Sequence, residues 1–464
     1  MKTLVLCIDG LGWYNIKSLP LPYIRTLINN SFFTTPSYKN VLERGWPAIY
    51  SGCNVDVTKA YYYAPKFINN KYKITNKTGL SNLQKNPKVS FIWDEINSRG
   101  YSTGVFCVPT CTSPVNLDGF FLSATGAGRI NALISKEDIK PVHLFDDFPS
   151  LKGDLGARMG YGAYIPSSNK ELKDFLLNHV ESTFDALSYL LDKKKVDVLL
   201  FGIRLINEIS YKFIGLFDAR FSNDLTPFQQ EIKNVLSEVL FAFENKLQKL
   251  IKEIDPSSII IVSDHGIKNL EFEVNINELL VKANLIKRKT TLKSFLRPYY
   301  HKLKGKFDNK VYPKIRIPQY DFNLSKAFSV GFTDAIYLNK LLNIEENNIF
   351  NQIKSIILNN EYCNYMDLTK YEPLEKYSFD GFIDPNFRIL LKDGLTNTAR
   401  YTQILKKNDN LLPGSQIWKE GFWGENSGCK TSDGIFACHT KKNISYPKNL
   451  NLFDIKNIIL SSVI

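Results

Sequence analysis

Two acid-bearing turns, each directly after a short apolar run, have the clearest potential for chemistry in this sequence. Asp9 follows the run Thr3–Ile8. Asp264 and His265 follow a second run, Ser258–Val262. Carboxylate oxygens and an imidazole nitrogen are ligands for divalent metals such as Zn²⁺ and Mn²⁺. Acidic residues at strand ends also cap helices, so these turns alone support either a metal site or a structural role.

The runs that carry these turns belong to an alternation of strands and helices. The predicted strands are Thr3–Ile8, Thr103–Val108, Val196–Phe201 and Ser258–Val262. Amphipathic helices are predicted over Lys170–Lys193 and Pro227–Ile254. Continuous apolar runs are typical of strands buried on both faces, so we predict an α/β fold, a three-layer α/β/α sandwich with a mostly parallel central sheet. Ligand sites in such sheets lie beyond the carboxyl ends of the strands, where Asp9, Asp264 and His265 are expected.

Further stretches resemble motifs of one enzyme superfamily. Cys7–Gly12 resembles the first metal-ligand turn of the alkaline phosphatase superfamily, and Ser263–Gly266 is similar to its second ligand motif. Within the superfamily, the closest resemblance is to the type I phosphodiesterase/nucleotide pyrophosphatase branch. Other similar stretches occur in that family's order, and they are Trp46–Gly52, Phe91–Tyr101, Val108–Thr110, Asn116–Phe120, Val274–Leu280 and Ser427–Phe436.

The resemblance implies an alkaline-phosphatase-like fold and chemistry at a phosphoric ester. Members of that family usually hold two zinc ions and use the hydroxyl of a Thr or Ser as the nucleophile. Asp9, Asp264 and His265 match the ligands of one metal. The resemblance therefore assigns these three residues to the binding of one divalent ion, Zn or Mn.

The second metal position of the family is not matched. Arg204 stands where an Asp ligand is expected, Glu208 where a His is expected, and Lys430 where a late His is expected. Fixed cations can stabilise charge on phosphoryl oxygens as a metal does, so Arg204 and Lys430 are candidate catalytic residues. Arg204 and Glu208 are also four residues apart on a predicted helix, where they could neutralise each other instead.

The expected nucleophile is also missing. In the family it lies ten residues before the Gly that ends the following helix, and counting back from Gly52 gives Leu42, which has no hydroxyl or thiol. Glu43, next to Leu42, is a candidate catalytic residue as a general base or metal ligand. The nearest hydroxyl alternatives are Thr35, Ser37 and Ser51.

The net charge of +13 over 464 residues is concentrated in one segment. Lys287–Arg316 holds eleven Lys or Arg and one acid, so it accounts for +10 of the total. The charge is therefore no evidence for a nucleic-acid-binding fold. Aromatic residues interleave with these cations, which suits an anionic membrane surface. We predict a basic insertion or cap at residues 281–319 within a discontinuous alkaline-phosphatase-like core, residues 1–280 and 320–464.

Composition bounds the class and compartment of the protein. A hydrophobic content of 44% can build a large core, which excludes a mostly disordered chain. No apolar run reaches the ~18 residues of a transmembrane helix, and the N-terminus lacks a signal-peptide cleavage site. The predicted location is cytoplasmic, with peripheral contact at the inner membrane face as a further option.

These observations predict a metal-dependent hydrolase of the phosphodiesterase or phosphatase type, or a phosphotransferase, with a single-metal site. Its substrate would be a phosphorylated small molecule, a nucleotide-sugar or a glycan precursor, and no nucleic-acid partner is expected. The alternative is a catalytically inactive protein of the same fold that binds a phosphorylated ligand.

Overall fold

The computed structural model of the protein describes most of the chain. The described residues are 1–36, 45–58, 60, 64–75, 89–111, 113–123, 134–156, 159, 164–289, 320–330, 333–371, 383–398, 401–414, 417 and 426–463.

The described strands are β1 Thr3–Ile8, β2 Phe32–Thr34, β3 Ala64–Ile68, β4 Lys71–Thr75, β5 Thr103–Phe106, β6 Gly119–Leu122, β7 Ile139–Lys140, β8 Val198–Ile203, β9 Ser258–Val262, β10 Gly266–Asn269, β11 Phe272–Val274, β12 Lys287–Arg288, β13 Tyr320–Asp321, β14 Ala327–Ser329, β15 Ala335–Leu338, β16 Met366–Lys370, β17 Phe387–Leu391, β18 Leu395–Asn397, β19 Leu405–Lys407, β20 Gly428–Thr431 and β21 Phe436–Thr440. The described helices are α1 Trp13–Ser18, α2 Pro22–Asn29, α3 Gly45–Ser51, α4 Val55–Thr58, α5 Ile92–Ser98, α6 Asn169–Lys193, α7 Leu205–Phe213, α8 Pro227–Ile254, α9 Ile276–Lys282, α10 Glu346–Leu358 and α11 Ile455–Val463.

The largest sheet contains eight described strands in the order β2-β21-β9-β1-β8-β5-β6-β7. The five inner strands from β9 to β6 are mutually parallel, and each antiparallel pair includes at least one of the outer strands β2, β21 and β7. This arrangement confirms the predicted α/β sandwich with a mostly parallel central sheet.

Side chains of the central strands alternate between two hydrophobic layers, as the pleat of a strand requires. Leu4 and Leu6 of β1 pack in the layer that contains α1, α2, α6, α7 and α8. Val5 and Cys7 pack in the opposite layer, with α3, α5 and α11. Burial on both faces explains why β1 is apolar from Leu4 to Ile8.

Local sequence signals set the ends of the two longest helices. Ser168 accepts a hydrogen bond from the backbone of Glu171 and caps α6. Thr226 and Gln229 form a capping box at the start of α8, whose first residue is a proline. Asp255 ends α8 in the left-handed conformation.

A second hydrophobic core lies outside the central sandwich. It contains α9, α10 and a four-stranded antiparallel sheet in the order β14-β15-β17-β16. Short strands β12 and β13 pair at its margin, and they flank residues 290–319. Most of the basic segment Lys287–Arg316 thus lies outside the described residues, and the predicted insertion at 281–319 stays a prediction.

Among the described residues, no helix combines the length and the apolar character needed to cross a membrane.

Candidate metal centre

The structure brings Asp9, Asp264 and His265 together at the carboxyl edge of the central sheet. Strand β1 lies between β8 and β9, and Cys7 is in register with Val262. The residues just beyond these two strands therefore meet. One potential ligand atom from each of the three residues lies within 4.8 Å of the other two, and all three side chains are buried.

The oxygens of the two carboxylates divide between two sets of neighbours. His265 Nε2 lies 3.5 Å from Asp9 Oδ1 and 3.7 Å from Asp264 Oδ1. The Oδ2 atoms face cations instead, Arg204 beside Asp9 and Lys430 beside Asp264. The two Oδ1 atoms and the imidazole nitrogen thus form one group, with the cations outside it.

The donor set of this group fits a divalent cation. Asp264 Oδ1 is buried and finds no hydrogen-bond partner among the described residues. His265 Nδ1 donates to the backbone carbonyl of Gly266 at 3.0 Å, so the lone pair of a neutral ring would be on Nε2, the atom that faces the carboxylates. An unpaired buried carboxylate oxygen is costly, and two oxygens with one nitrogen are ligands suited to Zn²⁺ or Mn²⁺.

The protein shifts the pKa values of the two carboxyl groups in opposite directions. Burial opposes ionisation of Asp9, but the hydrogen bond and charge of His265, together with Arg204, lower the pKa of Asp9 below its usual range. Burial raises the pKa of Asp264, although His265 and Lys430 act against it. Buried carboxylates held this close are therefore stabilised only in part by the protein's own cations.

Arg204 lies at the end of β8, immediately before α7, with Nε 3.8 Å from Asp9 Oδ2. Its Nη2 donates to Glu208 Oε1 at 2.9 Å, and the other oxygen of Glu208 accepts from the backbone of Met159 at 3.3 Å. Burial lowers the pKa of Arg204, but Glu208 and Asp9 outweigh it, so the pKa is raised and the guanidinium stays charged. Glu208 thus holds Arg204 beside the carboxylates while also partly neutralising it.

Lys430 reaches the site from a different part of the chain. Strand β10 follows His265 directly and pairs with β20, which places Lys430 opposite Ile267. Its Nζ lies 3.7 Å from Asp264 Oδ2, and the side chain is 28% exposed. The cations therefore flank the pair of carboxylates, one beside each.

The start of helix α3 supports both carboxylates, a feature that the sequence did not indicate. Trp46 is buried and its Nε1 donates to Asp9 Oδ1 at 3.1 Å. A Cβ on Gly45 would lie 2.5 Å from the Cβ of Asp264, so the backbone of α3 packs where a side chain does not fit. The sequence feature that could have pointed to this role is Gly45-Trp46-Pro47, in which an aromatic residue with an N–H donor stands at the start of a helix.

The candidates for nucleophile and base are only partly described. Ser51 is buried and donates to the Pro47 carbonyl in its own helix at 2.5 Å, while Thr35 is exposed beyond β2. The candidate Glu43 lies outside the described residues, as do Ser37 and Leu42. The roles predicted for these residues stay predictions.

The mostly parallel sandwich, with this cluster at the carboxyl edge of its sheet, has an alkaline-phosphatase-like fold. The chain belongs to the type I phosphodiesterase / nucleotide pyrophosphatase family, whose model matches residues 3–318. The resemblance seen in the sequence motifs is thereby confirmed.

Several solved structures are similar to this chain at low sequence identity. Phosphonoacetate hydrolase from Sinorhizobium meliloti 1021 is 11% identical, with a TM-score of 0.51 over 100% of this chain and 96% of that one. Murine ectonucleotide pyrophosphatase / phosphodiesterase 5 is 12% identical, with a TM-score of 0.47 over 100% and 95%. Alkaline phosphatase PafA is 10% identical, with a TM-score of 0.46 over 99% and 95%. None of the curated proteins matches the chain by sequence.

Proposed function

We propose that this protein hydrolyses a phosphoric ester, or transfers its phosphoryl group, with one divalent ion, Zn or Mn, bound by Asp9, Asp264 and His265. The observation that carries the proposal is the buried Asp264 Oδ1, which lacks a hydrogen-bond partner among the described residues and faces His265 Nε2 at 3.7 Å. The family to which the chain belongs acts on phosphodiesters and pyrophosphates, which supports the same class of substrate here.

Arg204 and Lys430 would bind the phosphoryl oxygens that the ion does not contact. Both are held against Oδ2 atoms, 3.8 Å and 3.7 Å away, so their charges are already in place before substrate binds. A bound ion would supply polarisation of a phosphoryl oxygen and a lowered pKa for a coordinated water. The cations would stabilise the charge that develops on the remaining oxygens.

The substrate we favour is a phosphodiester or pyrophosphate within a nucleotide, nucleotide-sugar or glycan precursor. A cytoplasmic enzyme would meet all three kinds of substrate, and the cytoplasmic location is part of this proposal. Glu43 is the proposed general base because it lies in sequence beside the position where the family's nucleophile is expected.

Metal analysis combined with a turnover assay tests the main proposal. After incubation with Zn²⁺ or Mn²⁺ and removal of free ion, we expect one bound ion per chain and hydrolysis of bis-p-nitrophenyl phosphate. A protein that retains no ion would reject the metal site. Glu43→Gln should lower turnover at least about 100-fold with the ion retained, and Glu137→Gln, at an exposed position, is the matched control.

A second candidate is a protein that binds a phosphorylated ligand without turnover. The observation that favours it is Leu42, a side chain without a nucleophilic atom at the counted nucleophile position. This candidate predicts one bound ion and binding of inorganic phosphate by calorimetry, but no hydrolysis of diester, monoester or pyrophosphate substrates. Turnover that disappears in Asp264→Asn would rule it out.

A further inference from the structure

Four exposed apolar side chains occur on three segments beside the second core. Leu324 is 62% exposed, Leu341 44%, Leu342 42% and Ile68 38%. Single exposed apolar residues are common, but a contiguous group of them indicates an interaction surface. We call this group, with the lysines described below, the leucine corner.

Backbone and side-chain hydrogen bonds tie the three segments together. The Tyr72 amide, in the β3–β4 hairpin, donates to Asn323 Oδ1 at 2.9 Å. The hydroxyl of Tyr72 accepts from the amide of Lys340 at 2.6 Å. Asn339 donates to the carbonyl of Asn323 at 3.0 Å. The hairpin, the turn at Asn323 and the loop after Asn339 therefore form one corner of the molecule.

Exposed cations lie close to these apolar side chains in sequence, hairpin register or backbone contact. They are Lys71, Lys287, Lys326 and Lys340. Lys71 is opposite Ile68 in the hairpin register, and the backbone of Lys287 donates to Ser325 Oγ beside Leu324. The one carboxylate within the turn, Asp321, accepts from the amides of Asn323 and Leu324.

The most basic part of the sequence is attached at the same corner. The described chain stops at Lys289, after β12, and resumes at Tyr320 in β13, and these two strands pair with each other. The thirty residues between them carry eight Lys or Arg and a single acid. The segment that carries this charge is therefore joined to the described chain at β12 and β13, and β12 contacts the turn that holds Leu324.

We propose that the leucine corner docks on an anionic lipid surface. Apolar side chains enter the boundary of the acyl chains, while surrounding lysines meet acidic headgroups, and the two contributions add. The described corner offers aliphatic side chains, and its Tyr72 ring is buried, so it lacks the exposed aromatic platform that stacks bases of single-stranded nucleic acid. This proposal stands independently of the metal site.

Sedimentation of the full-length protein with lipid vesicles tests the proposal. We expect binding to vesicles of phosphatidylglycerol and phosphatidylcholine in equal parts, weak binding to phosphatidylcholine alone, and loss of binding as salt is raised. Equal binding to both kinds of vesicle, or binding to neither, would overturn the proposal.

Two matched pairs of variants separate the apolar and charged contributions. Leu324→Ser/Leu341→Ser/Leu342→Ser should weaken partitioning at least about tenfold, whereas Leu358→Ser/Leu390→Ser, at exposed leucines elsewhere on the same unit, should change it less than about twofold. Lys71→Gln/Lys287→Gln/Lys326→Gln/Lys340→Gln should also weaken it at least about tenfold. The charge control is Lys170→Gln/Lys195→Gln/Lys249→Gln/Lys252→Gln, at exposed positions near the helices of the sandwich.

Circular dichroism and thermal melting establish that each variant is folded. If the folded corner variants sediment with anionic vesicles as strongly as the natural protein does, the corner is not the docking surface. This holds even if residues 290–319 bind lipid by themselves. A different outcome is that the protein does not bind vesicles but binds a single-stranded RNA tightly, and that the corner variants weaken this binding. That outcome would identify RNA as the partner of the corner and would also reject the proposal.

Discussion

The two halves of the candidate site are built in different ways. Asp9, Asp264 and His265, the carboxylate half, have short side chains on turns directly after parallel strands, so the register of the sheet sets their positions. Arg204 and Lys430, the cation half, have long side chains that reach the same carboxylates from a helix start and from a separate two-stranded ladder. The first half is buried, whereas Lys430 in the second is partly exposed.

This difference predicts a division of labour. Short ligands on strand ends are suited to holding an ion, which requires narrow limits on distance and angle. Long cations tolerate small displacements and are suited to an anionic group that arrives and leaves. Changes in the carboxylate half should therefore alter metal content, and changes in the cation half should alter turnover while the ion is retained.

Asp264→Asn should have the largest effect, because it removes the charge of the ligand whose Oδ1 has no hydrogen-bond partner in the described structure. We expect metal affinity to fall at least about 100-fold, measured by competition with a chromogenic chelator. Asp334→Asn is the matched control, since Asp334 is paired with Arg388 beside the second core. Equal loss of metal in both variants would point to general unfolding.

Arg204→Gln should have the second largest effect, and it should act on turnover. Loss of a fixed cation at the phosphoryl group should lower kcat about 100-fold, with the bound ion retained in metal analysis. Arg204→Lys should recover part of kcat, because it restores the charge without the planar fork. If the Arg204→Gln variant loses the ion as completely as the Asp264→Asn variant, then metal binding depends on both halves and the proposed division of labour is wrong.

Trp46→Phe should give a smaller change, confined to the carboxylate half. It removes the donor that orients Asp9 Oδ1 and keeps most of the buried volume. We expect about tenfold weaker metal binding, measured with the same chelator. Trp93→Phe is the control, because Trp93 is also buried but its Nε1 has no hydrogen-bond partner among the described residues. Equal affinities in the two variants would remove Trp46 from the site's support.

His179→Asn should have the smallest effect, on stability alone. His179 lines a small cavity with Arg204, behind the cation half, and its Nδ1 donates to the carbonyl of Asp154 at 2.6 Å. Burial lowers the pKa of His179. The unfolded chain therefore takes up a proton near the ordinary His pKa of about 6.5, before the folded chain does.

The sign of the pH effect follows from this order of protonation. The stability contributed by neutral His179 is complete above about pH 6.5 and is lost as the pH falls towards the lowered pKa, by at most about 1.4 kcal/mol for each pH unit. Urea unfolding at pH values on either side of 6.5 measures the loss. The natural protein should lose more stability than His179→Asn over this interval, and parallel losses would contradict the assignment.

Much of the fold could be predicted because its signals are local. Thr3–Ile8 and Ser258–Val262 are uninterrupted apolar runs, and the structure begins and ends β1 and β9 at those residues. Pro227–Ile254 carries its own start and stop signals, and α8 has the same bounds. Because the carboxyl ends of parallel strands share one edge of a sheet, the placement of Asp9 and Asp264 at the same edge followed from the strands alone.

Other features required contacts between distant parts of the chain. The placement of Trp46 against Asp9 depends on how α3 lies across the sheet, and α3 is anchored at its far end by Lys456, which donates to the Ser51 carbonyl at 3.1 Å. The second core likewise joins α9 to strands far along the chain. Neither pairing leaves a periodic signal in the local sequence.

The sequence by itself determined which residues end the central strands, and hence that two carboxylates and an imidazole lie at one edge of the sheet. Only the tertiary structure decided how their oxygens are shared: Oδ1 of each carboxylate faces His265, while Oδ2 faces Arg204 or Lys430. The physical reason is that local apolar runs set where each strand ends, whereas the order of the strands in the sheet depends on contacts between distant segments. The orientation of a carboxylate depends on donors and charges that other segments bring to it.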